Sequence, residues 1–411
     1  MIEYVLIAAT ALALLGLRLG LAPSAASVAL TLLALGRREE LGSLPYIGPA
    51  SLNFGGAAEP FIATTALLGL AVLAYSKEYA EHRGLGRWFY GVLALYVISL
   101  ELIPAFDNLI YAFLAMELAV VTSFLLIYYF GYGDRARIGV MYFIWSQIGS
   151  IAFLIGAVVS GGYLPPYAMP LAPALLAVFG LLVKMGTAGV HYWLPYAHAE
   201  APTPLSALLS PIHVGLMAYW LLQILPRTPI SGYYLALYGA ATAVYGSLLV
   251  FREADLKRAL ADSTIANMGL LVAAAALGDW QAAVLLFVGH ALAKAAMFMV
   301  SGIGIATQNE RRLGFLRLDP WTFAGSALGL VALAGVFGIA LLGKAYLALY
   351  SPPGLAPALY AALFATAVYN FYLFDKLYRA GRSEASPPLA MAVPMILAAA
   401  APYALMLAPW I

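Results

Sequence analysis

Three lysines and one glutamate lie inside long apolar stretches of the sequence, where a charged side chain is costly. They are Glu117, Lys184, Lys294 and Lys344. Burial penalises the ammonium form of a lysine, whereas a nearby carboxylate favours it. A lysine whose acidic partner moves can therefore release a proton and later regain it. These residue types predict a proton relay at the middle of a membrane, and the alternative is a set of structural ion pairs between helices.

Histidines add candidates whose charge changes near neutral pH. His290 precedes Lys294 by four residues, so the two side chains share one face of a helix. His213 follows Ser-Pro-Ile in an apolar segment, and we expect it to take part in the relay. The stretch after Lys184 contributes three further candidates, which are His191, His198 and Glu200.

Asp262 and Ser263 lie near the start of another apolar segment. An aspartate suits the first turn of a helix, because its carboxylate complements the helix dipole. For Asp262 we therefore favour a structural role.

The composition places these residues in a membrane. Of the 411 residues, 64% are hydrophobic and 10% are charged, and the mean hydropathy is +0.90. Ordinary soluble domains carry about 25% charged residues, so a soluble enzyme and a disordered chain are both excluded. The net charge of +2 gives no basic surface for nucleic acid. With no cysteine and five dispersed histidines, we expect no metal site and no cofactor in this chain.

Prolines, glycines and charge clusters divide the chain into about fourteen apolar segments. We therefore predict an all-α integral membrane protein with one membrane domain. The segments lie near 1–17, 24–36, 60–76, 88–105, 108–130, 137–160, 171–193, 203–226, 232–251, 259–278, 281–306, 320–350, 355–374 and 387–410. We expect the first to be a retained membrane helix rather than a signal peptide, because no basic stretch precedes it.

The basic residues predict the orientation of these segments. Of the 21 Lys and Arg residues, fifteen follow odd-numbered segments, three lie within segments, and only Arg37, Arg38 and Arg227 follow even-numbered ones. Basic loops stay in the cytoplasm. We therefore expect a multi-pass protein of a prokaryotic plasma membrane, with both termini on the outer side.

The seventh and twelfth segments are predicted to be broken helices. Glycines follow Lys184 and precede Lys344, and prolines lie beyond both lysines. Broken helices beside ionisable residues are typical of ion sites in transporters. The similar settings suggest two related halves, 88–226 and 232–374, flanked by three helices in 1–87 and one in 387–411. The alternative is that glycine is simply common in membrane helices.

Four blocks of the sequence resemble the antiporter-like subunits of respiratory complex I, membrane-bound hydrogenases and multisubunit cation/proton antiporters. The blocks are 107–118 around Met116-Glu117-Leu118, 181–210 from Lys184 through His191 and His198 to Pro202-Thr-Pro, 255–269, and 290–298 with His290 and Lys294. The resemblance implies fourteen helices with two inverted repeats of five helices each. It also implies proton translocation through a hydrated chain. In that chain Glu117 modulates Lys184, Lys294 with His290 is central, and Lys344 faces the exit or a neighbouring subunit.

Several departures from the family pattern bear on the predicted relay and fold. Many members have a lysine near Gly215, whereas the nearest ionisable residue here is His213. A tyrosine usually stands where this chain has Asp262. The chain stops at Ile411, so we expect no long lateral helix.

We expect a proton-translocating, non-redox subunit of a redox-driven membrane complex, such as an NADH- or ferredoxin-quinone oxidoreductase or a group-4-type hydrogenase. Its partners would be antiporter-like homologues, small helical subunits, lipid, and peripheral subunits with iron–sulfur, flavin or nickel–iron centres. The alternative within transport is a subunit of a multisubunit Na⁺/H⁺ antiporter. A membrane-embedded enzyme would need convergent catalytic groups near one interface, whereas these charges are spread along the mid-plane. A structural scaffold is the remaining alternative, and it predicts that Lys184→Ala leaves pumping intact.

Overall fold

The computed structural model of the protein describes residues 1–45, 47–161, 169–384 and 386–408. In these ranges the chain is almost entirely helical. The α-helices are α1 Ile2–Leu19, α2 Leu21–Thr31, α3 Glu59–His82, α4 Trp88–Ala105, α5 Leu109–Phe130, α6 Arg135–Val159, α7 Leu171–Met185, α8 Trp193–Glu200, α9 Thr203–Leu208, α10 Met217–Ile224, α11 Gly232–Val250, α12 Leu256–Ala276, α13 Trp280–Gln308, α14 Pro320–Ala334, α15 Ile339–Leu349, α16 Ala356–Arg379 and α17 Leu389–Met406.

Twelve helical stretches in the described ranges are long and apolar enough to cross a membrane. Two shorter apolar helices, Leu21–Ala34 and Leu171–Met185, coincide with the second and seventh predicted segments. The prediction of a multi-pass, largely helical membrane protein is therefore confirmed. The last predicted segment, 387–410, corresponds to α17, and residues 409–411 lie outside the described residues.

One hairpin departs from the all-α prediction. Strands β1 (Arg38–Leu44) and β2 (Gly48–Asn53) pair in antiparallel fashion between α2 and α3. Leu52 also pairs with Phe106 at the end of α4, so the hairpin is attached to that end of the helix bundle. Most residues of β1 are exposed, and it therefore lacks the alternation of apolar and polar residues by which a strand is recognised in sequence.

Both helices that were predicted to be broken are interrupted at glycines. Helix α7 ends at Gly186, whose φ of 63° is left-handed, and α8 begins only at Trp193. Helix α14 ends at Gly335 with a φ of 71°, and α15 continues from Ile339. Left-handed φ angles suit glycine because it has no Cβ. A third interruption, the π-helical turn Leu209–His213 between α9 and α10, was not predicted.

The interior is organised around α13, which packs against α3, α9, α12, α14, α15 and α17. Helices α11 and α12 form another tight pair because glycines lie between them. A Cβ added to Gly239 would lie 2.6 Å from the Gly269 carbonyl oxygen and 2.8 Å from the Ala273 nitrogen. Both of these neighbours are backbone atoms, which cannot move aside cheaply.

Gly239→Val is therefore expected to destabilise the protein by about 3 kcal/mol, because overpacking forces the backbones of α11 and α12 apart. The measurement is the midpoint of thermal unfolding in detergent. Ala241→Val on the exposed face of α11 is the matched control and should leave that midpoint nearly unchanged. Equal midpoints for the two variants would contradict the close packing.

Candidate functional site

The first pair of charges is formed by Lys184 on α7 and Glu117 on α5. Lys184 Nζ lies 4.0 Å from Glu117 Oε1, and the lysine is 4% exposed. Gln147 on α6 donates a hydrogen bond of 2.7 Å to the other oxygen, Oε2. Gln147 thus orients the carboxylate, and its role was not visible in the sequence. Within the described ranges Lys184 Nζ has no hydrogen-bond partner, so Glu117 is its electrostatic partner.

Backbone geometry places Lys184 where a cation is favoured. The residue lies in the last turn of α7, next to the left-handed Gly186. The final carbonyls of a helix carry partial negative charge and lack intrahelical donors. Gly149 on α6 lets the lysine stem lie close, since a Cβ there would be 3.2 Å from Lys184 Cγ.

His213 lies at the end of the unpredicted π-helical turn. Its Nδ1 shares a hydrogen bond of 3.0 Å with the Tyr96 hydroxyl on α4, and the residue is 3% exposed. Lys184 is within range of direct electrostatic interaction with the imidazole. The widened turn is also tied to α12, because Ser210 Oγ and Thr264 Oγ1 are 2.6 Å apart. The π-turn thus places His213 in the interior, between α4 and α12.

Lys294 on α13 is completely buried. Its Nζ donates to the Leu260 carbonyl oxygen at 3.2 Å and to Ser263 Oγ, both on α12. Asn267, one turn along α12, donates to the Ser263 carbonyl oxygen at 2.8 Å and to the Tyr369 hydroxyl at 2.9 Å. Lys294 therefore has polar neighbours, but no carboxylate is bonded to it among the residues described.

Lys344 on α15 is held by the break in the twelfth segment. Its Nζ donates to the carbonyl oxygens of Leu333 and Ala334, both at 2.9 Å, and to Thr366 Oγ1 at 3.0 Å. The two carbonyls belong to the last turn of α14, which ends at Gly335. The break thus exposes acceptors that the ammonium group satisfies.

His198 and His290 lie between these lysines. Both are buried, and neither ring nitrogen of either imidazole has a hydrogen-bond partner in the part of the chain that the structure describes. His198 interacts electrostatically with Lys257, Lys294 and His213. Its ring lies 5.7 Å from that of Phe298. His290 interacts in the same way with Lys294 and Lys344.

Together these electrostatic interactions link seven of the buried charged and titratable side chains in succession. Each member is within electrostatic range of the next. In order, the line contains Glu117, Lys184, His213, His198, Lys294, His290 and Lys344. We call it the buried line. It extends from α7, which carries Lys184, to α15, which carries Lys344.

Two further candidates lie outside the buried line. His191 is in the break between α7 and α8, and its Nε2 shares a hydrogen bond of 3.1 Å with the Tyr245 hydroxyl. Glu200 lies near Arg311, with 3.9 Å between its Oε1 and the guanidinium nitrogen NH2. Arg311 also pairs with Asp255, so Glu200, Asp255 and Arg311 lie together at one side of the bundle, which we call the basic face.

A cavity of about 400 Å³ at the basic face is lined by Glu200, Asp255 and Glu310 together with Arg311 and Arg312. Side-chain hydrogen bonds from Arg312 lower the pKa of Glu310 to about 2. Glu310 is therefore ionised at neutral pH and is not a proton donor in this cavity.

The sequence predicts that Lys257 lies in a loop. The structure buries it completely at the start of α12. Its Nζ donates to the Ala201 carbonyl oxygen at 2.6 Å and lies 4.8 Å from the centre of the Tyr132 ring. The charge pattern of the sequence cannot distinguish such a lysine from a solvated one.

Across the described ranges, no three His, Asp or Glu side chains are grouped so that they could hold a metal ion. The buried line contains amines, imidazoles and a single carboxylate. The chemistry that this set can perform is proton exchange.

The chain matches the family described as "NADH:quinone oxidoreductase/Mrp antiporter, TM" over residues 107–349, which is more than half of its length. NAD(P)H-quinone oxidoreductase chain 4 2 of Thermosynechococcus vestitus is 31% identical over 328 residues, covering 72% of this chain and 60% of the relative. The chain spans about half the length of the curated relatives it matches.

Two solved structures share the fold. A chain of the membrane-bound sulfane sulfur reductase, an archaeal respiratory membrane complex, aligns with a TM-score of 0.85 at 22% identity, covering 98% of this chain and 92% of that one. A chain of the Mrp complex from Dietzia sp. DQ12-45-1b aligns with a TM-score of 0.84 at 24% identity, covering 98% and 50%. The predicted resemblance to antiporter-like membrane subunits is confirmed.

Proposed function

Because this chain belongs to the NADH:quinone oxidoreductase/Mrp antiporter transmembrane family, we propose that it moves protons across the membrane along the buried line. The observation that carries the proposal is the succession of buried titratable side chains from Glu117 to Lys344, each within electrostatic range of the next. Packing alone rarely requires so many buried charges. The three lysines lie on α7, α13 and α15. The buried line therefore extends across both of the halves predicted from the sequence.

The proposed cycle begins at the Glu117–Lys184 pair. When the carboxylate moves away from the ammonium group, the lysine loses the charge that favours its protonated form. Its proton then passes to His213, whose Nδ1 is fixed by Tyr96, and on through His198 to Lys294. His290 carries the next step to Lys344, where the α14 carbonyls receive the charge. Water molecules between these groups would complete the transfers.

We propose that the energy comes from electron transfer in partner subunits of a larger complex. Support comes from the quinone oxidoreductase relative and from the structural likeness to a respiratory complex. The proposed partners are antiporter-like homologues, small helical subunits and peripheral redox subunits.

A Na⁺/H⁺ antiporter subunit is the second candidate, favoured by the TM-score of 0.84 with the Mrp complex. The two candidates differ in their requirement for Na⁺. Dye-monitored proton transport that stops when Na⁺ is removed supports the antiporter, whereas transport driven by an electron donor without Na⁺ supports the redox pump. Mass spectrometry of the proteins that copurify in mild detergent would identify the partners.

The orientation and the repeat belong to the same proposal. We propose fourteen membrane crossings in a prokaryotic plasma membrane, with the basic face in the cytoplasm and the termini outside. The interruption of α7–α8 near Lys184 and of α14–α15 near Lys344 supports two related halves.

Glu117→Gln is expected to lower proton transport by about 10²-fold, a typical effect of removing a positioned acid–base group. Glutamine keeps the size of the side chain but removes the charge opposite Lys184. The measurement is the quenching of a pH-sensitive dye in vesicles that contain the whole complex.

The matched control for this experiment is Arg135→Ala, which removes an exposed charge at the start of α6. It should transport protons at the wild-type rate. Wild-type transport by Glu117→Gln, with the complex fully assembled, would contradict the proposed role of the pair.

A further inference from the structure

A cavity of about 210 Å³ lies beside α12 and has no part in the relay described above. Its walls come from the break before α8, the turn between α11 and α12, and the first turns of α12. The residues that matter are His191, Tyr196, Glu253, Arg258 and Asp262. We propose that this cavity takes up protons from the basic face, that Asp262 collects them, and that Lys294 receives them. The inference rests on the proposed function.

Asp262 does not lie in the first turn of its helix, where its place in the sequence suggested it. Asp255 caps α12, since its Oδ1 accepts a hydrogen bond of 3.2 Å from the Arg258 backbone nitrogen. Asp262 lies further along the helix, is 3% exposed and has no hydrogen bond or ion pair to any described residue. A buried carboxylate without a partner is costly. The role at a helix N-terminus that the sequence favoured therefore does not explain why an aspartate stands at position 262.

The groups around Asp262 leave it free to exchange protons. Glu253 and Arg258 are the charges within electrostatic range, but the Arg258 guanidinium lies 4.8 Å from the centre of the Tyr196 ring rather than in an ion pair. His191 presents a buried Nδ1 without a hydrogen-bond partner among the described atoms. Other titratable groups on the elements packed around α12 include His198 on α8, Tyr245 on α11, Lys294 on α13 and Tyr369 on α16. Tyr192, which immediately precedes α8, also lines the cavity.

Only the width of α12 separates this cavity from the buried line. Lys294 Nζ is bonded to Leu260 and Ser263, on the same turn of α12 that carries Asp262. Helix α8, which begins at the cavity, packs against α12 and carries His198, an electrostatic neighbour of Lys294. The seam between α8 and α12 therefore leads from the cavity to the middle of the line.

The lining of the cavity fits a proton better than a resident metal cation. Arg258 places a positive charge in the same space, and this charge opposes a bound cation. Carboxylates and an imidazole exchange protons with water, and negative charge in a cleft raises the arrival rate of positive species.

The test compares Asp262→Asn with wild type over a range of pH in dye-monitored transport by the whole complex. Proton supply limits the rate in alkaline solution, so the variant should be about tenfold slower near pH 8 and close to wild type near pH 6, as expected for a lost collecting charge. Asp262→Glu should restore the alkaline rate. Asp375→Asn, which alters an exposed carboxylate of α16, is the control and should show the wild-type profile.

A second measurement does not depend on activity. The chain has no cysteine, so Asp262→Cys introduces a unique thiol that a membrane-impermeant maleimide can label. We expect labelling from the basic face only, and none for Leu270→Cys, a buried position on the same helix. Labelling of neither thiol, or an unchanged pH profile in Asp262→Asn, would overturn the inference. Normal transport by Lys184→Ala and Lys294→Ala would instead overturn the proposed function itself.

Discussion

Replacing Lys184 with alanine is expected to reduce proton transport by about 10²-fold or more while the complex still assembles. The loss follows because the ammonium group is the only proton carrier bridging Glu117 and His213 in the buried line. Assembly should survive because Glu117 keeps its hydrogen bond from Gln147 and is one-fifth exposed. Transport is measured in vesicles by dye quenching, and assembly by the amount of complex recovered in detergent.

Lys184→Arg separates a relay from a structural ion pair. Arginine keeps the positive charge opposite Glu117 but cannot release its proton in a protein. A relay predicts that this variant is as inactive as Lys184→Ala, whereas a scaffold predicts normal transport. Transport at the wild-type rate by Lys184→Arg would show that the pair only holds α5 and α7 together.

The intramembrane charges could be found from sequence because their cost does not depend on the fold. A lysine within twenty apolar residues requires a partner or a function in any helical arrangement. The same holds for the helix breaks at Gly186 and Gly335, since clustered glycines disrupt a helix locally. These features predict breaks beside Lys184 and Lys344, and the helices are interrupted there.

The order of the buried line could not be found in this way, because it depends on contacts between distant segments. Tyr96 meets His213, and Gln147 meets Glu117, across separations of 117 and 30 residues. Tyrosine is also enriched at the membrane interfaces of helices without such a role. Sequence spacing paired His290 with Lys294, but it could not place His198 between His213 and Lys294.

The surroundings of Asp262 could not be predicted from the sequence either. A helix N-terminus is a sufficient reason for an aspartate in sequence, and local rules therefore assign it a structural role. Only the fold shows that Asp255 already serves as the cap and that Asp262 faces a cavity. The hairpin β1–β2 was not predicted from the sequence for a related reason, since exposed strands carry no hydrophobic pattern.

Replacing Lys344 with alanine is expected to reduce proton transport by about 10²-fold, since it removes the last carrier of the buried line. The variant also leaves the Leu333 and Ala334 carbonyls without their donor, which costs about 1–3 kcal/mol for each buried group. A lower unfolding midpoint should therefore accompany the loss of transport, and stability must be measured in parallel by thermal unfolding in detergent.

Two further variants separate these effects at Lys344. Lys344→Arg supplies donors to the same carbonyls and should recover stability, but it should not recover transport, because its proton is not released. Thr366→Val removes one hydrogen bond of 3.0 Å without removing a carrier, so it should lower stability slightly and leave most of the transport. If Lys344→Arg restores both quantities, Lys344 only holds the broken helix in place, and the proton must leave the line before it reaches α15.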